Sequence, residues 1–221
     1  MITLAIVLAF KSHPWPVPVA VQAKGMEPLF FGPVLALGAL GVWLSSRAGF
    51  ASAPAITDGP SWRRLLLVSV ALGVFFGATA IASDLMFNVA QIDAQVIGQP
   101  SMNVAFPASI PHYTFGAIMT ECMTRWGPFA ILMWLIGRVV FRGRHPRTVF
   151  WVLATLASLI EPIGQAIMMG KDHVGLAVGL AAMIFAGNLT CAELFRRYGW
   201  PAPLIERLAL YAVWHVIWPL L

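Results

Sequence analysis

A carboxylate and a guanidinium, Glu121 and Arg125, stand four residues apart inside the apolar stretch YTFGAIMTECMTRWGPFAILMWLIGRVV, residues 113–140. At that spacing they share one face of a helix. Two further apolar stretches carry polar stripes with the same step: Glu161 and Gln165, flanking Pro162, and Arg207, Tyr211 and His215. Polar stripes of this kind can converge into a buried catalytic or ligand site. The same residues can instead pair off and hold helices together where hydrophobicity cannot. Either way an ionisable group near mid-membrane costs several kcal/mol unless it is partnered or hydrated. Glu121, Arg125, Glu161, Gln165, Arg207, Tyr211 and His215 are therefore expected to converge in one buried polar cluster. No His-x-x-x-His or Cys-x-x-Cys spacing occurs, so neither a metal site nor a cofactor is expected. Cys122 and Cys191 read as small buried residues, and Asn188-Leu189-Thr190 is a glycosylation sequon set aside because it lies mid-span.

The elements that must position these residues follow from composition. Of 221 residues, 59% are hydrophobic and 10% charged, against about 25% charged in soluble domains. The chain thus reads as all-α, a polytopic membrane bundle with a single domain over residues 28–221. About six spans are expected, near residues 28–44, 65–82, 113–140, 148–169, 174–195 and 202–221. Residues 1–27 form a short apolar, proline-rich segment, expected to be interfacial or re-entrant because prolines remove backbone donors that lipid cannot replace. Gly32, Gly38 and Gly41, and the pair Gly73 and Gly77, offer close helix contacts.

The net charge of +5 sits at the ends of the apolar runs, so lipids, not nucleic acid, are the expected partners. Arg47, Arg63 and Arg64 mark one connection, Arg138, Arg142, Arg144 and Arg147 another, Arg196 and Arg197 a third. By the positive-inside rule these loops are cytoplasmic, and the connection 83–112, without Lys or Arg, faces outward with the C-terminus. A bacterial inner membrane is the expected location. Most of Trp43, Trp62, Trp126, Trp134, Trp151, Trp200, Trp214 and Trp218 read as interfacial anchors. Counting residues from the span ends puts Glu121 nearer the outer side and Arg207 nearer the inner.

Thr120-Glu121-Cys122-Met123-Thr124-Arg125-Trp126-Gly127 resembles the Glu-Glu-x-x-x-Arg motif of the CAAX protease and bacteriocin-processing (CPBP, or "Abi") membrane proteins. The run from Phe195-Arg196-Arg197-Tyr198-Gly199-Trp200 to Trp214-His215-Val216 is similar to that family's last conserved region, and residues 158–165 fall where its Phe-x-x-x-His motif would lie. The resemblance covers residues 111–221. It implies the fold of an intramembrane endopeptidase in which the first Glu activates a water, two His assist, and an Asn or Asp completes the site. Carried over by position, the first Glu falls on Thr120, the second on Glu121, and the Arg is retained as Arg125. The first His falls on Gln165, with Glu161 in place of the Phe, the second His on Arg207, and the Asn or Asp on Tyr211.

Threonine and glutamine have no acid–base couple near neutral pH, and arginine accepts no proton from water. The resemblance thus implies the fold without the activity: a pseudo-protease serving as an accessory, scaffolding or binding subunit with a membrane-protein partner. An ion pair from Arg207 to Glu161 or Glu121 is expected to fill the former cavity, with Tyr211 as a plug. Two other readings stand beside this one. The first is an active protease with a rearranged site of Glu121, Arg125 and His215, or His112. The second is a small transporter, although no inverted repeat is visible.

Overall fold

Long apolar runs wind into regular helices, even those that hold Pro33 and Pro162, whereas the runs carrying Glu121, Arg125 and Arg207 include π-wound turns. The structure, a computed structural model, describes residues 28–54, 58–96, 98, 100–169 and 173–221, so the expected N-terminal segment 1–27 lies outside the described residues. Every regular element described is helical. In chain order these are α1 (Pro28–Ala48), α2 (Gly59–Phe87), α3 (Val89–Val96), α4 (residues 109–140), α5 (Pro146–Met169), α6 (Val174–Tyr198) and α7 (residues 201–220).

Among the described residues, four helices are long and apolar enough to cross a membrane, over Phe31–Ala48, Ser61–Phe87, Pro146–Met169 and Val174–Tyr198. The other two long elements are jointed rods. Helix α4 is α-helical over Ser109–Glu121, π-wound over Cys122–Phe129, α-helical over Ala130–Leu132 and π-wound again over Met133–Val140. Pro128, inside the first π segment, supplies no amide N–H, and the Ala130 amide reaches back five residues to the Arg125 carbonyl. Helix α7 is α-helical over Pro201–Tyr211, π-wound over Ala212–Ile217, and ends in a tight turn over Trp218–Leu220.

The connection expected from residue 83 starts later, because α2 runs on to Phe87. Nothing there breaks a helix: the Ser83 hydroxyl bonds back to the Thr79 carbonyl at 2.9 Å. The stop is Asn88, in the left-handed region at φ 54°, whose amide closes on the Asp84 carbonyl at 2.7 Å. The Asp84 carboxylate then accepts from the Ala90 amide at 2.7 Å, heading α3, and from the Trp218 indole at 2.8 Å, at the end of α7. One side chain therefore ties three elements together. Asp84→Ala is expected to lower stability by about 2 kcal/mol, the scale of losing hydrogen bonds to a charged acceptor, measured as a fall in the midpoint of thermal unfolding in detergent.

Glycines set two close helix crossings. A Cβ on Gly38 would strike Cys122 and one on Gly41 the Trp126 carbonyl, so α1 lies backbone-close on the π-wound part of α4. Cβ atoms on Gly73 and Gly77 would strike Glu206 and Val213, which places α2 equally close to α7. Gly32, by contrast, faces open space.

The Arg-bearing connections gather at one end of the bundle. Arg138 donates to the Arg47 carbonyl at 3.1 Å, and the Ala51 amide donates to the Arg196 carbonyl at 3.0 Å. Beneath them Phe50 stacks on Phe195 at 4.4 Å and meets Phe129 and Phe150 edge-on or tilted. The tryptophans divide. Trp43 is 59% exposed, as an anchor would be, whereas Trp126 and Trp214 are buried and belong to the core. The Trp126 indole donates to the Trp200 carbonyl at 3.0 Å, so its polar edge is used inside the protein instead of at a lipid boundary.

Candidate functional site

Glu121 is the last residue before α4 changes winding and Arg125 is the fourth residue of the π segment. The guanidinium meets the carboxylate side-on: Nε donates to Oε2 and Nη2 to Oε1, both at 2.8 Å. Arg207, arriving on α7, donates from Nε to the same Oε1 at 2.9 Å. Glu121 is 0% exposed, Arg125 4% and Arg207 6%. A carboxylate has about four lone-pair positions, and three of those on Glu121 are taken by charge-assisted bonds, the strongest kind available to it.

Asn188, on α6, stitches the two arginines together. Its Oδ1 accepts from Arg125 Nη1 at 3.2 Å and from Arg207 Nη2 at 3.0 Å, while its Nδ2 donates to Glu161 Oε2 at 3.0 Å. Arg207 Nη2 also lies 3.8 Å from Glu161 Oε2, and its Nη1 donates to the Tyr211 hydroxyl at 3.4 Å. Two carboxylates and two guanidiniums therefore close into a neutral network contributed by α4, α5, α6 and α7.

Depth counting separates Glu121 from Arg207, yet the two are in contact. The counting fails because α7 begins level with the middle of α4. Trp200, just before it, is bonded to Trp126, well inside α4. From that shared level Arg207 lies seven residues up α7 and Glu121 five residues back along α4, about 10 and 8 Å at 1.5 Å per residue. The two side chains arrive at nearly the same height.

The remaining sequence candidates lie around this network in different ways. Gln165 is exposed and stands at the lining of a neighbouring cavity, not in the buried cluster. Four residues advance a helix by about 400°, which turns Gln165 some 40° from Glu161. Thr120 is half-buried, and its carbonyl accepts from the Thr124 hydroxyl at 2.6 Å. His215 belongs to a second polar group. Its Nδ1 lies 2.7 Å from Asn103 Oδ1, its ring stacks on Tyr113 at 4.2 Å, and the Tyr113 hydroxyl accepts from the Val104 amide. His215 stands in the π-wound part of α7 and meets Tyr211 edge-on at 5.2 Å, but makes no hydrogen bond to the Glu121–Arg207 network among the described residues. His112 is half-buried with its ring edge-on to Tyr113.

Sequence reasoning missed three participants. Asn188 was visible as an amide in the middle of an apolar span, a position that demands partners. Glu206 and Cys191 carry no spacing signal: the Cys191 thiol donates to Glu206 Oε2 at 2.7 Å, across 15 residues and a helix turn. Beside these groups lies a cavity of about 160 Å³ lined by residues of α2, α3, α5, α6 and α7. Asp93, on α3 outside the four spans, also lines it, and burial, with a smaller push from the Asp84 charge, raises its carboxyl above the ordinary aspartate range. No group of three or more His, Cys, Asp or Glu able to hold a metal ion occurs among the described residues. Compared with models of known families, with curated proteins and with solved structures, the chain matches none.

Proposed function

We propose that this chain is a non-catalytic membrane protein on a CPBP-like fold, acting as an accessory, scaffolding or binding subunit of a membrane complex. One observation carries the reading. Glu121, the only carboxylate at the positions where the resemblance puts a water-activating pair, has three of its roughly four lone-pair positions held by Arg125 and Arg207. An approaching water therefore meets a carboxylate already committed to two guanidiniums. The imidazole of His215, engaged with Asn103 and Tyr113, belongs to a different network.

The jointed rods α4 and α7 are read as the third and sixth crossings. At about 1.5 Å per residue the 32 residues of α4 exceed the roughly 30 Å hydrocarbon core. The clustering of Arg47, Arg138 and Arg196 at one end supports a cytoplasmic face there, with the C-terminus outward, in a bacterial inner membrane. For a partner, α5 offers an exposed stripe of Val152, Leu156, Ile160, Ile163 and Ile167 at helical spacing. Affinity capture of the full chain in mild detergent is expected to retain a membrane protein in stoichiometric amount. Ile160→Trp with Ile163→Trp is expected to release it. Capture of no stoichiometric partner, or capture insensitive to that stripe, counts against the reading.

A further inference from the structure

The neutral network leaves two carboxylates over. Glu121 and Glu161 are matched by Arg125 and Arg207, but Glu206 and Asp93, which both line the 160 Å³ cavity, have no Lys or Arg paired with them among the described residues. Arg207 is the only Lys or Arg among the described lining residues, and its donors are directed to Glu121, Asn188 and Tyr211. Glu206 is 2% exposed. One of its oxygens accepts from Cys191, while Oε1 is buried with no hydrogen-bond partner among the described residues. Leaving a buried polar atom unpaired is costly, so a donor that reaches it gains what the fold leaves unused. Phe76 and Trp214 add aromatic side chains to the lining, and aromatic rings attract cations.

We infer that this cavity is a binding site for a small organic ammonium ion, whose N–H donates to Glu206 Oε1 and whose apolar body packs against Phe76 and Trp214. The volume suits the guest, since a cavity of about 150 Å³ accepts a benzene-sized molecule. A positive charge there would also offset the repulsion between Asp93 and Asp84. The inference is independent of whether the chain assembles with a partner.

The probe is benzylamine, cationic at neutral pH, titrated calorimetrically into the purified full chain in detergent, with benzyl alcohol as its neutral isostere and detergent blanks subtracted. Saturable binding of benzylammonium is expected, at least about tenfold tighter than benzyl alcohol and at least about tenfold weaker in Glu206→Gln. That variant keeps an acceptor for the Cys191 thiol. Glu193→Gln, which alters a carboxylate outside this cavity, is expected to leave affinity unchanged. If Glu206→Gln does not fold, Asp93→Asn on the short α3 replaces it, with a severalfold loss expected. Equal affinity for the amine and the alcohol, no saturable binding, or loss as large in Glu193→Gln as in the cavity variant would overturn the site.

Discussion

Arg207→Ala is expected to lower stability by about 3–5 kcal/mol, the scale of breaking a buried pair by removing one partner. The loss has identifiable parts. Glu121 Oε1 gives up one of its two guanidinium donors, Asn188 Oδ1 loses its shortest contact, and a network of two carboxylates and two guanidiniums becomes net negative inside the bundle. Charge balance then predicts the rescue. Arg207→Ala with Glu161→Gln restores neutrality while keeping an oxygen that accepts from Asn188 Nδ2, and is expected to recover part of the loss. Arg207→Ala with Glu121→Gln is expected to recover less, because it also weakens the side-on pair with Arg125. Thermal unfolding in detergent measures all three, and equal losses in the single and the Glu161 double variant would mean that Arg207 and Glu161 are not coupled.

The second large effect is steric. Gly73→Leu is expected to cost at least about 3 kcal/mol, at the upper end for overpacking, because a Cβ at that position meets the Glu206 carbonyl and the Leu210 amide, not a flexible side-chain tip. Backbone cannot move aside without shifting α7, and α7 carries both Glu206 and Arg207. The variant should therefore lose benzylammonium binding along with stability. Gly179, exposed on α6 with nothing near its missing Cβ, is the matched control. Gly179→Ala is expected to be neutral or stabilising, since alanine gives up less backbone freedom in a helix. A destabilisation in Gly179→Ala as large as that in Gly73→Leu would point to a general dislike of side chains at helix glycines rather than to a close α2–α7 crossing.

Local spacing made part of this site legible. Glu121 and Arg125 are four residues apart, and the helix period alone puts them on one face; Arg207 and Tyr211 follow the same rule and do bond to each other. At His215 the rule holds for the neighbour but not for the network: the ring meets Tyr211 edge-on at 5.2 Å, yet its polar edge goes to Asn103, a partner that no spacing announces. The rule fails at Gln165, where the accumulated rotation of one more turn carries the side chain to an exposed position. Glycine spacing pointed to Gly38, Gly41, Gly73 and Gly77 at real crossings, but equally to Gly32, which touches nothing. Spacing says which face a small residue is on and not whether another helix covers it.

What the sequence hid is long-range. Asn188 reaches Arg125 across 63 positions, and Asn103 lies beside His215 across 112. The height of α7 depends on one indole–carbonyl bond between Trp126 and Trp200, which depth counting from span ends has no means of seeing. Composition fixed the helical membrane class because it sums over the whole chain. Individual partners depend on how helices slide against one another, which single residues decide.

The most direct test of an inert Glu121 is a cleavage assay. The purified chain in lipid vesicles is incubated with a diverse peptide library, and products are read by mass spectrometry beside Glu121→Gln. With three of the roughly four lone-pair positions of Glu121 held by Arg125 and Arg207, the wild-type protein is expected to give no products above those of the variant. Cleavage by the wild-type chain that disappears in a folded Glu121→Gln would show that the carboxylate does activate water, and the non-catalytic reading would fall.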